Sequence, residues 1–198
     1  MTLATLFSKA PAPERLEQLE AIATAMAMEE DLKVNFICTH NSRRSHFSEI
    51  LFRTAALHHG LTHVQTFSGG TEGTALYPEV AESCKRFGFE TVELAAHGQR
   101  AWKIYHPALE TEATTPLLFS KVYNHESNAQ DGYHAIMVCD SANEACPVVF
   151  GAKTRHPLMF IDPKYSDGTK DQNEVYDQTL KLIASELGFI AKKISDLS

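Results

Sequence analysis

The pattern of apolar and polar positions divides the chain into alternating elements. Leu16, Leu19, Ile22, Ala23 and Met26 recur at helical spacing, which predicts a helix over about residues 12–30. Val34, Phe36 and Ile37 form a short continuous apolar run, as in a strand buried on both faces of a parallel sheet. A polar stretch, Cys38-Thr39-His40-Asn41-Ser42-Arg43-Arg44-Ser45, follows at once. Phe47, Ile50, Leu51, Thr54, Ala55 and Leu57 then resume a helical rhythm that Gly60 is placed to stop. Residues 63–67 read as a strand running into Ser68-Gly69-Gly70, and residues 78–87 as a helix before Gly88. Residues 94–132 break the rhythm and read as an insertion, within which 116–123 form a candidate strand. Residues 133–138 and 158–161 read as buried strands, and 174–187 as a C-terminal helix stopped by Gly188.

Strands alternating with helices predict an α/β fold. The expected architecture is a three-layer sandwich around a mainly parallel four-stranded sheet. It is read as one domain over residues 1–198, with an extra N-terminal helix (12–30) and the 94–132 insertion. In open sheets of this kind ligands bind beyond the C-terminal strand ends, where Cys38, Ser68, Cys139 and Asp162 all stand.

Composition narrows the function. A net charge of −7 argues against a general nucleic-acid binder, so any anionic ligand needs a local site. Apolar runs fall short of a membrane span, and the start of the chain is too quickly acidic for a secretion signal. Four cysteines in 198 residues suit a reducing compartment rather than a disulfide scaffold, and a cytoplasmic protein is expected.

Strand, polar loop and helix in succession aim backbone N–H groups and a helix N-terminus at one point, an anion site. Thr39, His40, Asn41, Ser42, Arg43 and Arg44 are the candidate oxyanion binders, with the Arg44 fork closing the ring. The same field, with the Ser45 hydroxyl, is expected to favour the Cys38 thiolate and make it a nucleophile at neutral pH.

The segments CTHNSRRS after NFI, FSGGTEG, CDSANEACP and IDP resemble the low-molecular-weight protein tyrosine phosphatases and their thioredoxin-coupled arsenate reductase relatives, over roughly residues 34–162. The family loop usually has Gly, which permits positive φ, where His40 stands, and often Cys where Arg43 stands. The resemblance implies a general acid at Asp162, with Asp140 and Asp167 as alternatives, a bracing role for Asn41, and a potassium ion near Asn41, Glu49 and Ser68. The Cys139–Cys146 spacing matches the redox pair of the reductases. It implies arsenate reduction by Cys38 through a disulfide relay, with a thioredoxin-like reductant. The alternative is hydrolysis of phosphate monoesters through a phosphocysteine. A third reading is an oxyanion sensor without turnover. Cys84 is expected to be structural, as are Trp102 and Tyr105, and His58-His59 to be a solvated cap.

Overall fold

A computed structural model describes residues 2–145 and 148–198. Short helix α1 (Leu3–Phe7) is followed by a 3-10 turn (Pro13–Arg15) and α2 (Leu16–Met26). Then come β1 (Lys33–Cys38), α3 (Arg44–His58), β2 (Gln65–Gly70), α4 (Pro78–Arg86), β3 (Glu90–Ala96) and β4 (Gln99–Tyr105). The chain continues through β5 (Tyr133–Met137), α5 (Asp140–Ala145), β6 (Ala152–Pro157), a 3-10 turn (Pro163–Ser166) and α6 (Gln172–Leu197).

The central sheet has four strands in the order β2-β1-β5-β6, all parallel. Every residue of β1 after Lys33 is buried, as its apolar run requires. Helix α3 packs on β1 and β2 and against α6, and α6 also receives α2 and α4. Phe36, Ile37, Phe47, Phe52, Tyr133 and Tyr176 fill the core between them, each less than 2% exposed.

Four sequence expectations are corrected. The last strand is Ala152–Pro157, not 158–161. As an edge strand it pairs with β5 alone and is half-exposed, so it reads as polar. Leu158 and Phe160 are buried beyond it, and their N–H groups still reach Met137 and Val138 carbonyls at 2.8 and 3.3 Å. Residues 116–123 form no strand, because they touch two different partners at single points, Gly70↔Val122 and Trp102↔Leu118. The antiparallel hairpin β3–β4 begins before Leu94 and turns at His97-Gly98, both with positive φ. Helix α6 runs through Gly188 to Leu197. A Cβ at Gly188 would lie 2.9 Å from the Phe7 ring, so glycine there admits α1 rather than ending α6.

Candidate active site

Cys38 ends β1 and is 4% exposed. The loop after it is shaped from outside through its carbonyls. Cys38 O accepts from Thr71 N at 3.0 Å, Thr39 O from Glu72 N at 2.9 Å, and Ser42 O from Tyr77 N at 3.0 Å. His40 O accepts from the Thr74 and Ser120 hydroxyls, each at 3.0 Å. With the carbonyls turned outward, the N–H groups of His40, Ser42 and Arg43 donate to no backbone carbonyl among the described residues. The first turn of α3 adds N–H groups that a helix start leaves unbonded. Asn41 N donates to Cys38 Sγ at 3.2 Å. The loop's positive φ, 44°, falls on Asn41, a residue type that tolerates the left-handed region. His40 therefore needs no glycine-like backbone, and its ring instead meets Glu72 at 3.0 Å at the surface.

One hydrogen-bond chain sets the polarity around the sulfur. Lys121 N donates to Asn41 Oδ1 at 2.8 Å, which fixes the amide orientation. Asn41 Nδ2 then donates to Ser45 Oγ at 2.9 Å and to Ser68 Oγ at 3.1 Å. With its lone pair so engaged, Ser45 has its hydroxyl proton free for Cys38 Sγ, 3.1 Å away. His46 closes the far side, and burial holds it down to about 3, so the ring is neutral. Because Asn41 O can only accept, Nε2 at 3.0 Å carries the hydrogen, and Ser68 donates to Nδ1 at 3.2 Å. The sequence reading missed His46 and Lys121.

The influences on the Cys38 thiol oppose one another. Burial, the largest influence, pushes the Cys38 thiol up, and Cys139 adds to the rise. Ser45 and Arg44 pull it down without prevailing. Arg44 is itself engaged: Nη2 donates to Asp162 Oδ2 at 2.5 Å and Nη1 to Phe160 O at 3.0 Å. Asp162 also caps the following 3-10 turn through Lys164 N at 3.1 Å.

Arg43, a candidate oxyanion binder whose side chain could equally point to solvent, commits its guanidinium to the protein instead. Its Nε donates to Tyr176 Oη at 2.6 Å, its Nη2 to Asp167, and its guanidinium lies 4.3 Å from the Tyr77 ring centroid. Its Nη1 donates to Ser42 Oγ at 3.3 Å, which ties the guanidinium to the loop, and its backbone N–H is left for a ligand. Asp167 takes the Tyr176 hydroxyl as well, at 2.6 Å, so this alternative acid is committed to that network. Asp140, the other alternative, opens α5 and is exposed.

Cys139 follows β5, is 1% exposed, and its Sγ lies 3.4 Å from Thr39 Oγ1 and 3.4 Å from Ala142 N. Cys146 lies outside the described residues. Cys84 is wholly buried and its thiol is pushed up by burial, in line with a structural residue. Trp102 and Tyr105 are buried in the hairpin at 3% and 7% exposure.

Asn41, Glu49 and Ser68 do come together behind the loop, but they offer an alkali cation few free oxygens. Asn41 Oδ1 is spent on Lys121 N, and Ser68 Oγ lies between Asn41 Nδ2 and His46. Glu49 Oε2 alone of the set has no hydrogen-bond partner, and Lys121 already brings a positive charge to bear on Glu49. A potassium ion does not fit this donor set well.

A family model described as low molecular weight phosphotyrosine protein phosphatase matches residues 33–107. No curated protein matches the sequence. Among solved structures, an arsenate reductase in its phosphate-binding state is similar with a TM-score of 0.51 and 17% identity, covering 84% of this chain and 99% of that one. A low molecular weight protein tyrosine phosphatase from Bacillus subtilis gives 0.51 and 17%, covering 84% and 96%. One from T. tengcongensis gives 0.52 and 17%, covering 83% and 98%. Residues 33–107 thus carry the signature of the low molecular weight phosphotyrosine protein phosphatase family, and the chain has the fold that its phosphatases share with arsenate reductases.

Proposed function

We propose that the protein reduces arsenate to arsenite by a cysteine relay that starts at Cys38. The observation that carries this reading is the place of Cys139, whose Sγ reaches the anion loop at Thr39 Oγ1, 3.4 Å away. A hydrolase with a phosphocysteine intermediate needs no second sulfur there.

In the first step the Cys38 thiolate attacks arsenic(V). The S–As bond forms, one As–O bond breaks, and Asp162 supplies the proton with which that oxygen leaves as water. The Cys139 thiolate then attacks Cys38 Sγ. The new S–S bond forms while the S–As bond breaks, its electron pair goes to arsenic, and arsenite is released. Both sulfurs are thereby oxidised and arsenic is reduced by two electrons. Cys146 next attacks Cys139, freeing Cys38 and leaving a Cys139–Cys146 disulfide for exchange with a small dithiol protein of the thioredoxin type, in a reducing compartment such as the cytoplasm.

The second reading, a phosphate monoester hydrolase, is favoured by Asp162 standing at Arg44 on the same rim. There Asp162 protonates the leaving alcohol or phenol and then activates water against the phosphocysteine. One pair of assays separates the two. Cys139→Ser is expected to abolish arsenate turnover and to spare aryl phosphate hydrolysis. Retention of arsenate turnover sinks the relay. Loss of aryl phosphate hydrolysis on Cys38→Ser excludes a sensor that only binds.

A further inference from the structure

Lys121 lies in the loop segment between the hairpin and β5, yet only 6% of it is exposed. Its backbone ties two parts of the site together: N–H donates to Asn41 Oδ1 at 2.8 Å, and the carbonyl accepts from Gly70 N at 2.9 Å. Its ammonium meets the Phe119 carbonyl at 3.5 Å and lies 4.6 Å from the Phe119 ring centroid.

That leaves donors to spare on a buried cation. Glu49 from α3, 3% exposed, and Lys121 both line a cavity of about 250 Å3. Thr66 and Asn128 line it too. Glu49 Oε2, Thr66 Oγ1 and Asn128 Oδ1 are all buried acceptors without a hydrogen-bond partner. A space of this size lets water carry the ammonium's protons to those oxygens. Burial pushes Glu49 up and Lys121 down, and the charge of each opposes the shift of the other.

We propose that Lys121 is a tethered counter-ion: its ammonium supplies, behind the Cys38 loop, the positive charge that an alkali-metal ion would otherwise supply to Glu49. Two features disfavour a second cation beside it. Asn41 Oδ1 and Ser68 Oγ each already accept a hydrogen bond within the protein. One carboxylate does not offset two buried positive charges. A tethered charge is also held at fixed effective concentration, so the loop is braced at any salt composition.

The test is the melting temperature of the full chain in potassium, sodium and choline chloride at equal ionic strength, for wild type, Lys121→Met, Glu49→Gln and the double variant. The wild type is expected to melt alike in all three salts, within about one degree. Lys121→Met, which leaves Glu49 to share the charge of Arg53, itself paired with Glu110, is expected to melt roughly 10 °C lower. The double variant is expected to recover a good part of that loss, because the carboxylate charge is gone. A potassium-specific rise in the wild type overturns the proposal, as do additive effects of the two substitutions. Where Lys121→Met fails to fold, refolding of the double variant supports the proposal and its failure counts against it. The readout is stability, so it stands or falls apart from the proposed activity.

Discussion

Arg44 and Asp162 hold one another: Nη2 lies 2.5 Å from Oδ2 across the mouth of the Cys38 loop, with both side chains largely shielded. An incoming dianion competes with Asp162 for the fork, and winning it leaves the carboxyl beside the ligand, where a departing oxygen needs a proton. Asp162→Asn removes the competitor and the proton source together. Inorganic phosphate is expected to inhibit the variant about tenfold more tightly, since a charge-assisted bond no longer opposes it. Turnover of substrates with poor leaving groups is expected to fall about 10²–10⁴-fold. The check is a set of aryl phosphates of graded leaving-group acidity, with phosphate inhibition measured beside them.

Ser45 works through the direction of its proton. Its hydrogen bond lowers a thiol that burial raises, so Ser45→Ala lets Cys38 rise further. The thiolate is the reactive form, and activity is lost as pH falls through the Cys38 pKa. The acid limb of kcat/KM is therefore expected to move to higher pH in the variant. The rate on the acid side should drop roughly 10- to 100-fold, the worth of one hydrogen bond to a charged group. Thiolate absorbance titrated on the free enzyme assigns the limb to Cys38. An unmoved limb contradicts the polarity set by Asn41.

Two adjacent arginines divide their work between binding and architecture. Arg43 is held by Tyr176, Asp167 and the Tyr77 ring, whereas Arg44 faces the rim. Arg43→Met is expected to lower stability by about 2–4 kcal/mol, the cost of breaking a mostly buried pair, with phosphate inhibition nearly unchanged. Arg44→Met is expected to weaken phosphate inhibition at least about 100-fold through the loss of a bidentate contact. Thermal melts and inhibition constants on the two variants read the split.

These neighbours also show where the sequence stops being informative. Both are arginines in one loop, and which one faces the ligand depends on where the chain turns, here at Asn41. The strand-loop-helix unit itself was legible, because Val34, Phe36 and Ile37 are buried on both faces of a central strand and show as an apolar run. The edge strand β6 and the hairpin strand β3 are half-exposed, so neither carries such a run. Lys121 and His46 left no signal. Lys121 meets Asn41 across 80 residues of chain, and its type gives no hint of burial. Cys139 was legible as a position at a strand end, and only the fold brings it to Thr39.

Gly70 sits opposite Cys38 in the β1–β2 register, where two strand ends and the loop crowd together. A Cβ there would lie 2.2 Å from Glu72 O, 2.5 Å from Thr39 O and 2.8 Å from Asn41 N, all backbone atoms that cannot swing aside. Of these, Thr39 O accepts from Glu72 N and Asn41 N donates to Cys38 Sγ, so the clash falls on bonds that shape the loop. Gly70→Ala therefore has to displace the loop rather than a side chain, and the N–H groups lose their common focus. A displacement of about 1 Å in a positioned group costs on the order of 100-fold in rate, so kcat/KM is expected to fall by at least that much. The core beneath is untouched, so far-ultraviolet circular dichroism and cooperative melting are expected to persist, with a lower midpoint. Near wild-type activity in Gly70→Ala is incompatible with a cup held open by these outward carbonyls.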